Sequence, residues 1–264
     1  MSEGKRLYSA FYKPLHNHEK GYLICHPFAD EKKSTQNFFV DLAKNLCLAG
    51  YLVVLFDLNG CGDSEGNFKD ASITSWLDDI NNIYLHIKKT FEIKNIGFIG
   101  LRFSAYLGML SLNNSLFFNR LILIEPIFNV RNYFEKLLRG KLIKELHTYK
   151  SILSDKGKFA NNLDKNKFID IDGYEISSGF YLDLVKHQES FDIKNILISN
   201  SEIYLFKISL INKVPSEFEL FIKYAHNVKK EIHFKLVKYL PFWNNLDPIK
   251  HEILRQELIY ACTS

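Results

Sequence analysis

Apolar and polar positions alternate along the first half of the chain in blocks whose period switches between that of a strand and that of a helix. GYLICHPF (21–28) is a short apolar run closing on a proline-containing loop, which predicts a strand. Residues 34–49 set Phe38, Phe39, Leu42, Leu46 and Ala49 on one helical stripe, with Ser34 in place as the N-cap. YLVVLFDL (51–58) is almost continuously apolar, as a strand buried on both faces must be. After the glycine-rich turn NGCGDSEG, residues 72–89 gather Ile73, Trp76, Ile80, Ile83, Tyr84 and Ile87 on a single face and predict an amphipathic helix. NIGFIG is the next strand, 104–113 the next helix, and RLILIEPIF (120–128) the strand after it.

This β-α-β-α-β-α-β order predicts a mostly parallel sheet with helices on both faces and right-handed connections. Ligands of such sheets bind outside the carboxyl ends of the strands. The loops HPFAD, NGCGDSEG, GLRFS and EPIF are therefore expected to surround one site. Periodicity weakens from 129 to 192, where VRNYFEKLLRGKLIKELHTY, the polar stretch SDKGKFANNLDKNK and IDIDGYEISSGFYLDLVKH follow one another. An insertion at that point would sit over the strand ends, so the chain is read as one domain, 1–264, with 129–192 as a cap. NILISNSEIYLFKIS holds one further strand or two, followed by a helix (215–228), a strand (231–237) and a C-terminal helix (247–262).

With 264 residues, 47% of them hydrophobic, the chain can bury a sizeable core. Its net charge of +4, from 34 basic and 30 acidic residues spread along the length, does not point to nucleic acid. MSEGKRLYSAFYKP lacks the apolar core of a signal peptide, and LCLAGYLVVLF is too short to span a bilayer. A cytoplasmic protein is the expectation. Four cysteines without a CxxC pair or a histidine at metal spacing imply reduced, buried thiols, no metal and no cofactor. Apolar Ile249, Ile253, Leu258 and Tyr260 on the last helix pack internally or across a homodimer.

Three motifs follow successive strands: His26-Pro27-Phe28, the turn from Asp57 through Gly60, Gly62, Asp63 and Ser64 to Gly66, and Gly100-Leu101-Arg102-Phe103-Ser104. In this order they resemble the oxyanion loop, the glycine turn and the nucleophile elbow of the α/β-hydrolase superfamily. HPFADEKK, DLNGCGDSEGNF, GLRFSAYLG, DGYEIS and PFW together resemble, over residues 20 to 262, the bacterial family called exosortase A system-associated hydrolase 2. That resemblance implies the α/β-hydrolase fold and a setting in exopolysaccharide or envelope assembly, and it implies no reaction. Ser104 departs from the family, which has a small glycine there.

A serine hydrolase needs a nucleophile, a base, an acid and two oxyanion donors. Arginine stands at the nucleophile position, and a guanidinium has no lone pair to attack with. Ser104 and His26 are left as the catalytic candidates, with Cys25 and Cys61 near the rim. The loop after the last strand, KYLPFWNN, has no histidine; His233 lies in the strand and His251 in the final helix. Glu202 serves as the acid only if NILIS is the acid-bearing strand. The N–H groups of Phe28 and Phe103 are the candidate oxyanion donors. A triad is therefore not expected. Instead Arg102 at a helix N-terminus suits an anionic or acyl ligand, with His26, Phe28, Phe103, Asp63 and Glu125 around it. The competing reading is an internal ion pair between Arg102 and Glu125, Asp57 or Asp63. An ester or thioester hydrolase with a non-standard nucleophile such as Ser104 is the remaining alternative.

Overall fold

Strands β2 (Lys20–Cys25), β3 (Leu52–Phe56), β4 (Asn95–Leu101) and β5 (Arg120–Ile124) are buried along almost their whole length, which is why they read as unbroken apolar runs. In the computed structural model, which describes residues 5–16, 19–113, 116–149, 168–244 and 251–264, they form the middle of a seven-stranded sheet. Its order is β1-β3-β2-β4-β5-β8-β9, with β1 (Ser9–Tyr12), β8 (Glu202–Ile208) and β9 (Ile232–Val237) completing it. Every pairing is parallel except that of β1 with β3.

Alternate strand residues face two helical layers. Tyr22, Ile24, Val53 and Leu55 pack with Phe38, Phe39, Leu42 and Leu46 of α1 (Asp30–Leu48) and with Leu254 and Leu258 of the final helix α8 (Glu252–Thr263). Leu23, Val54, Phe56 and Phe98 face α2 (Ile73–Thr90), α3 (Phe103–Asn113) and α7 (Ser216–Asn227). The N-terminus of α2 closes with a reciprocal capping box between Ser72 and Ser75. Between β5 and β8 run α4 (Val130–Tyr149), the hairpin β6 (Phe168–Ile171)–β7 (Tyr174–Ser177), α5 (Ser178–Ser190) and α6 (Ile193–Leu197). The polar stretch 154–167 of the expected cap lies outside the described residues.

Four expectations are corrected. A strand at Ser9–Tyr12 pairs with β3 and escaped notice because four residues are too few to show a period. NILIS is not a strand: Ile193–Leu197 is a helical turn capped by Asp192, whose side chain accepts the Lys194 N–H. Glu202 therefore begins β8, at the opposite end of the sheet from the site, where its carboxylate holds Arg120. Helix α1 starts at Asp30, not after Ser34, with Ala29 as its N-cap and Asp30 and Glu31 in the first turn. Acidic residues complement the positive end of a helix, and this shift brings Glu31 and Lys32 onto the helix. On α8, Leu258 packs internally, whereas Ile253 and Tyr260 are exposed; Ile249 lies outside the described residues.

Candidate functional site

The strand order reverses around β2, whose neighbours are β3 on one side and β4 on the other, with Cys25 opposite Gly100 in register. The loops leaving β2 and β4 consequently lie side by side at the switch point of the sheet. At the end of β4, Arg102 alone separates the strand from α3, and its φ of 56° lies in the left-handed region. That conformation costs a non-glycine residue on the order of 1 kcal/mol. It is held by the Arg102 N–H donating to the Ile124 carbonyl at 2.8 Å and the Arg102 carbonyl accepting from Tyr106 at 3.3 Å. Gly100 is dictated by the same bend: a Cβ there would lie 2.6 Å from the Ala105 nitrogen.

Ser104 completes the bend. Its hydroxyl accepts the Leu101 N–H at 2.9 Å and donates to the Leu101 carbonyl at 3.0 Å, and the residue is 1% exposed. Both capacities are spent on the backbone, so it is turned away from any substrate.

The side chain at the vertex is Arg102, whose guanidinium lies 5.3 Å from the Tyr133 ring centre and 5.0 Å from that of Trp243. Trp243 belongs to the loop after β9, whose KYLPFWNN stretch holds no histidine. Nε of Arg102 donates to Glu31 Oε1 at 2.8 Å. The internal ion pair thus exists, but with a partner the sequence reading did not name. Glu125, also at positive φ, instead accepts from the Ile208 N–H at 2.8 Å and pairs with Lys207. Asp57 pairs with Lys32 at 2.5 Å and accepts the N–H of Asp63 at 3.1 Å, while the Asp63 side chain is exposed.

The Arg102–Glu31 pair is not saturated. Arg102 also shares a side-chain hydrogen bond with Tyr133, and its side chain is 20% exposed. Glu31 Oε2 is buried and without a partner. Burial raises the pKa of Glu31 and Arg102 opposes the shift; Tyr133, pushed well up mainly by burial, donates to Oε1 at 3.4 Å. Glu31, Tyr133 and Trp243 all line a cleft of 410 Å³, with Leu137 of α4 and Ile171 of the hairpin as its apolar wall. That volume is within the range of small-molecule sites.

Phe28 and Phe103 do meet, with ring centres 5.2 Å apart. Around Phe28 cluster Phe68, Trp76, Phe134 and Phe180 at 5.4 to 6.1 Å, so rings from the segment between β5 and β8 cover the strand ends. His26 lines a cavity with Phe28, Phe103 and Trp76, edge-on to Phe39, beside the Lys32–Asp57 pair and with Nδ1 buried and unpartnered. Burial first and Lys32 second lower its pKa to about 4, so it is neutral at pH 7. Burial raises the Cys25 thiol well above its usual range and Cys61 to about 12; neither supplies a thiolate at pH 7. His251 contacts Tyr239 at 3.1 Å and stacks near Phe242; His233 lies against Tyr204. Among the described residues no group of histidine, cysteine and carboxylate side chains could hold a metal ion, and no helix is long and apolar enough to cross a membrane.

Solved structures share this fold over nearly the full length of the chain. Est1E from Butyrivibrio proteoclasticus, solved with ferulic acid bound, is 16% identical, with 100% of this chain and 95% of that one covered and a TM-score of 0.60. A lipase in an open form gives 12% identity, coverage of 98% and 94%, and a TM-score of 0.67. A thermostable carboxyl esterase from Bacillus coagulans, in complex with glycerol, gives 13%, 98% and 94%, and 0.66. The fold is that of the α/β-hydrolases. No family model matches the chain, and no curated protein matches it either. The narrower resemblance to the exosortase-associated family finds no support in these comparisons.

Arg102 is the left-handed residue between β4 and α3, the Phe28 and Phe103 rings meet, and Ser104 bonds back to Leu101. What sequence reasoning missed is Glu31. The signal was present in HPFADEKK, since two acidic residues directly after a loop mark a helix start.

Proposed function

We propose that this α/β-hydrolase-fold protein binds an anionic ligand at its elbow and does not hydrolyse esters by a Ser-His-acid mechanism. The observation that carries this reading is Arg102: it occupies the elbow vertex, gives Nε to Glu31 and a hydrogen bond to Tyr133, and with five N–H donors and 20% of its side chain exposed it has donors left for a planar anion. The ring faces of Tyr133 and Trp243 fix the guanidinium in plane, so little side-chain freedom is lost when the anion docks. The segment between β5 and β8 acts as a cap over the cleft, contributing Tyr133, Leu137 and Ile171 to it. The setting in exopolysaccharide or envelope assembly rests on the sequence resemblance, and the identity of neighbouring genes tests it.

A second reading, hydrolysis of an ester or thioester by an unusual nucleophile, is favoured by one observation: the backbone of the elbow is kept, left-handed vertex included, and similar folds are described as esterases and a lipase. The experiment is a panel of short-chain p-nitrophenyl esters and thioesters with a fluorophosphonate probe. The expected outcome is no turnover and no labelling by the native chain. Turnover abolished by Ser104→Ala or Arg102→Ala would overturn the binding reading.

A further inference from the structure

One defect in hydrogen bonding sits at this ion pair. Arg102 gives Nε to Glu31 and a hydrogen bond to Tyr133 while keeping 20% of its side chain exposed, and Glu31, 8% exposed, keeps Oε2 without a donor while lining the cleft. Most buried polar atoms of a folded protein find a partner, so an unsatisfied carboxylate oxygen on a cleft wall calls for a ligand or a proton. An anion on the Nη edge would place two carboxylates around one guanidinium. Two carboxylates sharing one site do not both stay ionised. Resting on the reading of Arg102 as the anion site, we propose that Glu31 is a proton-linked gate for a monocarboxylate: the ligand carboxylate takes the Nη edge, and Glu31 takes up one proton.

The balance is simple. Before binding, Glu31 is the carboxylate partner of Nε. On binding, one proton from solvent goes to Glu31, the guanidinium remains charged, and the ligand carboxylate becomes its counter-ion. The new hydroxyl supplies a donor where Oε2 has none. The surroundings favour the neutral acid. Burial is the largest influence on Glu31 and opposes its charge, while Arg102 and then Tyr133 favour it. On the cleft rim stand Asp30 and Lys33, paired with one another at 2.8 Å on α1, and Asp172 in the turn of the β6–β7 hairpin. Glu125, beyond Arg102 at the end of β5, acts on the guanidinium and is itself held by Lys207. The ligand's body is apolar or aromatic, because Phe28, Tyr133, Leu137, Ile171 and Trp243 form the walls. A dianion such as a phosphate monoester would need more charge neutralised than one proton on Glu31 provides.

The test is calorimetric titration of the full chain with ferulate, octanoate and inorganic phosphate. It is run from pH 5.5 to 8 in pairs of buffers with different ionisation heats, on the native protein and on Glu31→Gln. For the native chain the expected result is uptake of close to one proton per carboxylate bound at the upper end of the range. Affinity should fall by up to about tenfold per pH unit there, with phosphate the weakest ligand. Glu31→Gln, shown folded by circular dichroism, should bind the same carboxylate with an affinity flat in pH and no uptake. Carboxylate binding by the native chain without proton uptake overturns the gate and leaves the anion site standing. The same uptake in Glu31→Gln also overturns it, since the proton then goes elsewhere. No carboxylate binding by either protein at any pH overturns the anion site itself, and the gate with it.

Discussion

Glu31 and Lys32 are neighbours on the first turn of α1, and each forms a buried ion pair with a residue that follows a different strand. Lys32 reaches Asp57 after β3, and that pair is complete. One Asp57 oxygen takes the ammonium, the other takes the Asp63 N–H, and the Asp57 carbonyl accepts from Ser64. Glu31 reaches Arg102 after β4, and that pair is left half-made at Glu31 Oε2. The two pairs stand on the same helix end, so the local field does not distinguish them. Their purposes do: a fully bonded pair fixes a turn, whereas a half-bonded pair beside a cleft is able to exchange partners. Buried charge is tolerated in the first because every atom is satisfied, and in the second because Glu31 has a neutral form within reach.

The largest effects should come from breaking the complete pair. Lys32→Met leaves Asp57 buried and uncompensated, and the expected loss is about 3–5 kcal/mol in urea denaturation. Gly62→Ala should come close to this, because a Cβ there runs into both Asp57 Oδ2 and Lys32 Nζ, at a φ of 55° that alanine already resists. Gly66→Ala, with no atom nearer than 3.5 Å, is the milder control at another positive φ. A Gly62→Ala protein as stable as Gly66→Ala would mean that the Lys32–Asp57 pair does not fix the turn.

His26, beside the complete pair, should give the next largest effect, and it is pH-dependent. Its folded pKa of about 4 is depressed, so the unfolded chain binds the extra proton between pH 6.5 and 4. Stability from this group is present above pH 6.5 and is lost as pH falls through that window, by on the order of 3 kcal/mol. His26→Gln should lose that part of the slope in denaturation midpoints measured between pH 7 and 4.5; an unchanged slope would place the titration elsewhere.

Breaking the half-made pair should cost less. Arg102→Met is expected to lose about 2 kcal/mol at pH 7, and less at pH 5, because Glu31 escapes burial of its charge by taking a proton. A loss that matched Lys32→Met and did not vary with pH would erase the distinction between the pairs. The smallest effect belongs to Ser104→Ala. It removes two hydrogen bonds to Leu101 and should cost about 1–2 kcal/mol without altering ligand binding.

The fold was legible from the sequence because its signals are local and strong. Continuous apolar runs announced β2 to β5, the stripe from Ile73 to Ile87 announced α2, and the three loop motifs fell one per strand. The elbow could be read as well, since a left-handed residue after Gly100 is a backbone requirement that survives the loss of serine. Arginine at the vertex and the absence of histidine in KYLPFWNN are likewise facts of sequence. Everything that concerned partners was decided by tertiary structure. Glu31 and Arg102 are 71 residues apart, and three other acidic residues, Glu125, Asp57 and Asp63, stood as candidates in the sequence. Only the parallel register of β2 with β4, and the helix start at Asp30, bring Glu31 to Nε and send Glu125 to Lys207 instead. The physical reason is range. Backbone conformation and burial follow from a few adjacent residues, whereas a charge takes whichever opposite charge the packing brings within about 3 Å. No pattern along the chain encodes that distance.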